Sequence, residues 1–171
     1  LDWVPQDWEE LRGMRLIDEH FASVSAFDLI LDSGRRDGVL DPSFMKSLRE
    51  LAETISSREN TVFSAARSID SYLQQISLAM DGKVTRYHEH ENAQDLAWRD
   101  MRFFQLAMPT EFRSLVSSDY RYVRLTASTS RRDAMEFHTA RQQLADALAG
   151  QQIPAVSVTG LIPILRETLD V

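Results

Sequence analysis

YRYVRLTAST, Tyr120–Thr129, decides the fold. Val123, Leu125 and Ala127 alternate with Tyr122, Arg124 and Thr126, and a period of two puts the apolar set on one face of a β-strand. Ser130 with Asp133 then resembles a capping box, and Ala134, Phe137, Arg141, Leu144 and Leu148 form a stripe at helical spacing that stops at Gly150. AVSVT, Ala155–Thr159, is a further β-branched run. Residues 120–159 therefore predict a β-α-β unit.

The same plan appears upstream. FDLILD, Phe27–Asp32, alternates with Phe27, Leu29 and Leu31 on one face, and the turn formers of SGRRDG follow it. Asp41-Pro42 supplies an N-cap and a proline at the first helical position, where the missing N–H costs nothing. Phe44, Leu48, Leu51 and Ile55 run down one helical stripe ending near Arg58, and TVFSAA, Thr61–Ala66, reads as a second strand. Two such units with crossovers of the usual hand predict an α+β fold, a four-stranded ferredoxin-like sheet.

Between the units lie two helical stretches. SIDSYLQQISLAM carries Ile69, Tyr72 or Leu73, Ile76 and Met80, closed by Asp81-Gly82; AQDLAWRDMRFFQLAM carries Leu96, Met101, Phe104 and Met108, ended by Pro109. They predict a helical insertion over about 68–117 that forms a small second lobe of a single 1–171 domain. At the ends, Arg12–Phe21 reads as a helix with Met14, Leu16, Ile17 and Phe21 as apolar positions, and LIPILRETL after Gly160 as a short helix or extended exit.

A chain of 171 residues with 43% hydrophobic content has enough material for one core, or for two lobes sharing an interface. Nineteen Lys and Arg are spread along the sequence against 26 Asp and Glu, so no basic footprint for phosphate backbones exists and nucleic acid is not an expected partner. With no cysteine, a disulfide scaffold and a thiolate zinc site are excluded. No apolar run approaches the roughly 20 residues that span a bilayer, and no signal segment opens the chain. The first residue is Leu1 instead of methionine, which suggests a fragment or a processed chain.

YHEHEN, Tyr87–Asn92, holds two of the four histidines. On an extended segment His88 and His90 point the same way and would present two imidazoles to one ion, but zinc needs more. The hydrolase pattern H-x-H-x-D-H would require Asp at 92 and His at 93, where this chain has Asn92 and Ala93, and neither His20 nor His138 is tied to the pair by spacing. The competing reading is a polar connector with Asn92 as N-cap and Asp95 in the first turn of the next helix. No metal and no cofactor is expected. There is also no G-x-S-x-G elbow and no phosphate-cradling glycine loop, so no catalytic residue is assigned and the chain is not expected to be an enzyme.

Trp98, Met101, Phe103, Phe104 and Met108 put aromatic rings and methionines on more than one face of the second inserted helix. Such side chains adapt to irregular apolar ligands, which makes these five the candidates for lining a substrate route; packing of the helical lobe competes with that role.

The order of segments resembles a family. LDWVPQDWEELRGMRLIDEHFAS, FDLILDSGRRDGVLDPSFMKSLRELAETI, SAARSIDSYLQQISLAMDG, ENAQDLAWRDMRFFQLAMPTEFRSLVSSDYRYVRLTAST and VSVTGLIPILRETLDV together resemble a periplasmic loop of the resistance-nodulation-division exporters. The branch is that of the lipid and hydrophobe exporters, including hopanoid and mycolic-lipid transporters, and SLAMDG and FFQLAMP look more like the second such loop than the first. The resemblance implies a porter-type domain on the periplasmic side of the inner membrane. Its implied partners are the rest of the same transporter, including the other periplasmic loop and the membrane helices, a lipid or other hydrophobic substrate, and further copies in an oligomer of the full-length protein. Proton-coupling residues of that family lie in membrane helices and none can be named here. The termini should lie close together, Trp3 and Trp8 near the bilayer interface, with Leu161–Leu165 leading into a helix. KVTRYHEHEN departs from the family in its charge, and His88 and His90 become candidates for sensing periplasmic acidity. The alternative reading is a free-standing ligand- or protein-binding module of the same fold.

Overall fold

The computed structural model describes residues 25–57, 62–129, 134–151, 153 and 155–159. Trp3, Trp8, the Arg12–Phe21 helix, the Ser130–Asp133 capping box and the LIPILRETL exit lie outside the described residues.

The centre of the structure is the pair β1 (Ser25–Asp32) and β3 (Tyr122–Thr129), antiparallel over their whole lengths from Ser25 opposite Thr129 to Asp32 opposite Tyr122. Alternation sets this register. Phe27, Leu29 and Leu31 fall directly opposite Ala127, Leu125 and Val123, and all six are buried. A one-residue slip would turn the whole set to the other face, and each fully buried leucine contributes roughly 1.5–3 kcal/mol toward preventing it. The opposite face is polar and half-buried. There Arg124 donates two hydrogen bonds to Asp28 at 2.8 and 3.0 Å, the Thr126 hydroxyl donates to Asp28 at 2.7 Å, and Arg121 grips Asp32 at 2.9 and 2.8 Å.

α1 (Pro42–Ile55) starts where Asp41-Pro42 predicts, with the Asp41 carboxylate accepting from the Ser43 N–H at 2.9 Å and from its hydroxyl at 2.7 Å. Its buried stripe is Met45, Leu48, Leu51 and Ile55; Phe44 is only partly buried, so the helix is turned toward Met45 relative to the expected stripe. α2 (Ile69–Asp81), α3 (Ala93–Ala107) and the short α4 (Pro109–Leu115) follow, then α5 (Ala134–Ala149) after β3. Side chains from all five helices join Phe27, Leu29, Val123 and Leu125 in one continuous core on the apolar face of the sheet.

The strand order is β2-β3-β1-β4 with every neighbouring pair antiparallel. The expectation of two matched β-α-β units in a ferredoxin-like sheet, with a separate helical lobe, is corrected by three observations. First, Thr61–Ala66 does not form the second strand: Val62 and Phe63 turn into the core, and β2 is the three residues Ala65–Arg67, paired only with Thr126–Ser128. Second, α2, α3 and α4 stand where a hairpin would join β2 to β3, and Leu73, Met101, Phe104 and Phe112 belong to the main core instead of a second one. Third, β4 (Ala155–Thr159) joins the far edge of β1 through a register break between Ile30 and Leu31. Among the described residues the body is an α+β domain of five α-helices built on the three-stranded antiparallel unit β1-β3-β2, with β4 added at its margin. At the other margin Ser56, which closes α1, accepts the Ala66 N–H at 2.7 Å and so occupies the free edge of β2.

Candidate functional site

Helix α3 carries all of the expected lining residues except Met108, which caps its end, and its geometry divides the five. Ala93, Ala97, Asp100, Met101 and Phe104 face the core, so Met101 and Phe104 are packing residues with 0% and 1% exposure. Trp98, Phe103 and Met108 are 40%, 47% and 42% exposed. Leu106, absent from the expected set, is the most exposed large apolar residue at 80%. Its signal in the sequence is its spacing: three residues from Phe103 and four from Arg102 it shares their side of the helix, off the stripe through Ala97, Met101 and Phe104. The result is an apolar ridge of Trp98, Phe103, Leu106 and Met108.

Tyr120 supports the Trp98 end of this helix from below. Its ring packs against Trp98 and Phe112 at centroid distances of 5.6 and 5.9 Å, and its hydroxyl donates to Gln105 Oε1 at 3.3 Å. Tyr120 also adopts a left-handed backbone, φ 54, which costs a non-glycine residue of order 1 kcal/mol and persists only where its surroundings fix it. Its N–H donates to the Ser117 carbonyl at 3.0 Å, its own carbonyl accepts the Val39 N–H at 3.0 Å, and burial raises its phenol pKa. Arg102 lies over the Trp98 ring at 5.6 Å.

The YHEHEN connector is anchored from within. Tyr87 is 1% exposed and donates its hydroxyl to Asp100 at 2.8 Å, Thr85 is buried with its N–H donated to Ser77 Oγ at 2.9 Å, and Tyr87–Glu89 form a 3-10 turn. Asp100, fully buried, is also held by Arg99 Nε at 2.7 Å, and Arg99 reaches on to Asp81 at 2.6 Å. His90 is exposed, while the side chains of His88 and His138 and the whole of His20 lie outside the described residues. Among the described residues no group of three or more His, Cys, Asp or Glu side chains comes together in a way that could hold a metal. Asn92 stands at the N-cap of α3 without a side-chain cap bond; its carbonyl accepts the Leu96 N–H at 3.1 Å.

Burial, followed by the hydrogen bond to Asp100, pushes the Tyr87 phenol well above the usual phenol range. A raised folded-state pKa contributes stability that is complete below the unfolded pKa of about 10 and is lost as pH rises beyond it. Urea melts should therefore show stability falling above about pH 10, and Tyr87→Phe should flatten part of that fall, Tyr120 supplying another part of the same sign. An alkaline limb unchanged in the variant would contradict this placement of Tyr87.

A second polar feature lies between α1 and α2. Arg49 donates to Asp70 at 2.9 and 2.8 Å, Gln74 donates to the same carboxylate at 2.6 Å, and Asp70 is 3% exposed. Above them a groove of about 510 Å³ is lined by Lys46, Arg49, Glu50, Glu53, Gln74, Val84 and Arg86.

No protein-family model matches the chain, and no curated protein matches it. The transporter description drawn from the resemblance thus gains no support from these two comparisons. Among the described residues no helix is long and apolar enough to cross a membrane. Fold and site define an α+β domain with an exposed apolar ridge over one end of its sheet.

Proposed function

We propose that this chain is an extramembrane domain of a multi-pass exporter of the resistance-nodulation-division kind. On this reading it sits on the periplasmic side of the inner membrane and contributes to the passage of hydrophobic or amphiphilic cargo, without catalysis of its own. One observation carries the reading beyond the resemblance. β1 and β4 are antiparallel neighbours with Asp28 opposite Thr159, so the strand through which the chain comes into the described body starts beside the point where the last strand ends. A domain set between two successive membrane helices needs its two connections at one side, and this arrangement supplies that.

The competing reading, a free-standing ligand- or protein-binding module, is favoured by the exposed ridge on α3. The reading frame on either side of these 171 residues separates the two. Apolar runs of about 20 residues on both flanks are the expected result, and a polar flank on either side would sink the exporter reading. With such flanks found, mass spectrometry of the full-length protein purified with its surrounding membrane would identify the cargo.

A further inference from the structure

Two hollows of the described body differ in their charges. In the groove between α1 and α2, Lys46 lies 3.7 Å from Glu50, Arg86 pairs with Glu89 at 3.3 Å and Arg49 is held by Asp70, so the charges offset one another and select no ligand. The other hollow, of about 240 Å³, lies at the β2 margin of the sheet. Its walls are Ala65 and Arg67 of β2, Thr126 and Ser128 of β3, Tyr72 of α2 and Leu115 of α4, with Ser64 beside them.

This hollow exists because β2 is short. The strand ends with Arg67 opposite Thr126, and the same edge of β3 is taken up again only where Val116 bridges Val123. Arg124 and Leu125 thus face no strand on that side among the described residues. The chain turns from Arg67 through Ser68 into α2, which places Tyr72 beside the gap, and Leu115 bounds it just before the Val116 bridge.

No carboxylate lines the hollow. Asp28, which Thr126 touches at 2.7 Å, is already taken by two hydrogen bonds from Arg124 at 2.8 and 3.0 Å. Arg67 is exposed and has no ion-pair partner among the described residues, so its charge stands uncompensated at the rim. The hydroxyls of Tyr72 and Ser128 donate to nothing among the described residues, whereas Ser64 donates its own to the Ser128 carbonyl at 3.2 Å.

We propose that this hollow binds a small organic monocarboxylate, its carboxylate on the Arg67 guanidinium and its apolar body against Tyr72, Leu115 and Ala65. A guanidinium presents two parallel N–H donors that match a carboxylate, and the free hydroxyls add further donors. One uncompensated cation suits one negative charge; a phosphate dianion finds no second cation in the lining. The volume falls below the roughly 300 Å³ at which pockets for drug-sized ligands begin, which limits the ligand to a single ring or a short branched chain. Tyr72 is fixed by stacking on Phe104 at 5.1 Å and Leu115 is buried, so these walls stand ready before binding and little order is lost. The site is separate from the α3 ridge and does not depend on the exporter reading.

The test is a titration of the ¹⁵N-labelled chain with benzoate, benzamide, acetate and inorganic phosphate. Benzoate should saturate with a Kd of about 1 mM, the scale available to so few atoms, and should shift the amides of Ala65, Arg67 and Ser128. Benzamide has the ring without the charge and acetate the charge without the ring; each should bind about tenfold more weakly or worse, and phosphate should give no saturable shift. Arg67→Gln should weaken benzoate about tenfold, while Arg36→Gln, an exposed arginine in the turn after β1, should leave it unchanged. Both positions are exposed, so the variants should keep the fold, which circular dichroism checks. Benzamide or acetate binding as tightly as benzoate would overturn the proposal. So would saturable phosphate, an unchanged response in Arg67→Gln, or shifts that never saturate or centre elsewhere.

Discussion

Phe104→Ala should lower the unfolding free energy by about 3–5 kcal/mol, while Phe103→Ala, one residue away, should change it by no more than about 0.5 kcal/mol. Phe104 is 1% exposed, stacks on Tyr72 at 5.1 Å with an interplanar angle of 14°, and meets Phe112 edge-on at 5.7 Å. Removing its ring opens a cavity where three aromatic side chains meet, and the helices around it relax only in part. Phe103 projects from the outer side of the same helix and leaves no cavity. Urea denaturation of the two variants reads the difference. Comparable losses would mean that α3 is rotated from the orientation described.

Asp70→Ala should cost about 3 kcal/mol, the lower end of the range for an orphaned buried charge, because Arg49 keeps some access to the groove above it. The loss comes less from the missing attraction than from leaving the guanidinium without the carboxylate that accepts two of its hydrogen bonds. Replacing both partners, Arg49→Met with Asp70→Leu, should recover most of the stability, since an apolar pair of similar volume needs no desolvation of charge. A double-mutant cycle in urea separates these terms, and a double variant as unstable as Asp70→Ala would show that the pair is not the reason for the loss.

The central strands and α1 were legible because each announces itself locally. Alternation in FDLILD and YRYVRLTAST reports one buried face, and Asp41-Pro42 reports a helix start, without reference to anything distant. The second strand was misplaced because Val62 and Phe63 have strand-forming side chains that are spent on core packing, which composition alone cannot distinguish. Within the helices, apolar spacing locates a buried side but not its centre. Met45 therefore displaced Phe44 as a core residue, and two of the five expected lining residues proved to be packing. Asp70 and Asp100 were invisible for the opposite reason: an acid reads as solvated until the arginine that accompanies it into the interior is known. Tyr87 was hidden in the same way by the charged residues around it, although it is the anchor of that connector.

The antiparallel pairing of β1 with β3 also governs how the molecule assembles. The hydrogen bond from Thr126 to Asp28 joins residues 98 positions apart, so the two central strands meet only after the chain between them has been drawn in. Closing such a span early is entropically unfavourable, whereas α3 contacts both α2 and α4 over short separations, so the three can shorten the gap before the strands pair. The helices that replace a hairpin thus act as the device that brings β3 to β1. Refolding should accordingly slow more with Leu73→Ala in α2 than with Leu29→Ala in β1 for equal losses of stability, a ratio that stopped-flow kinetics on the two variants would measure.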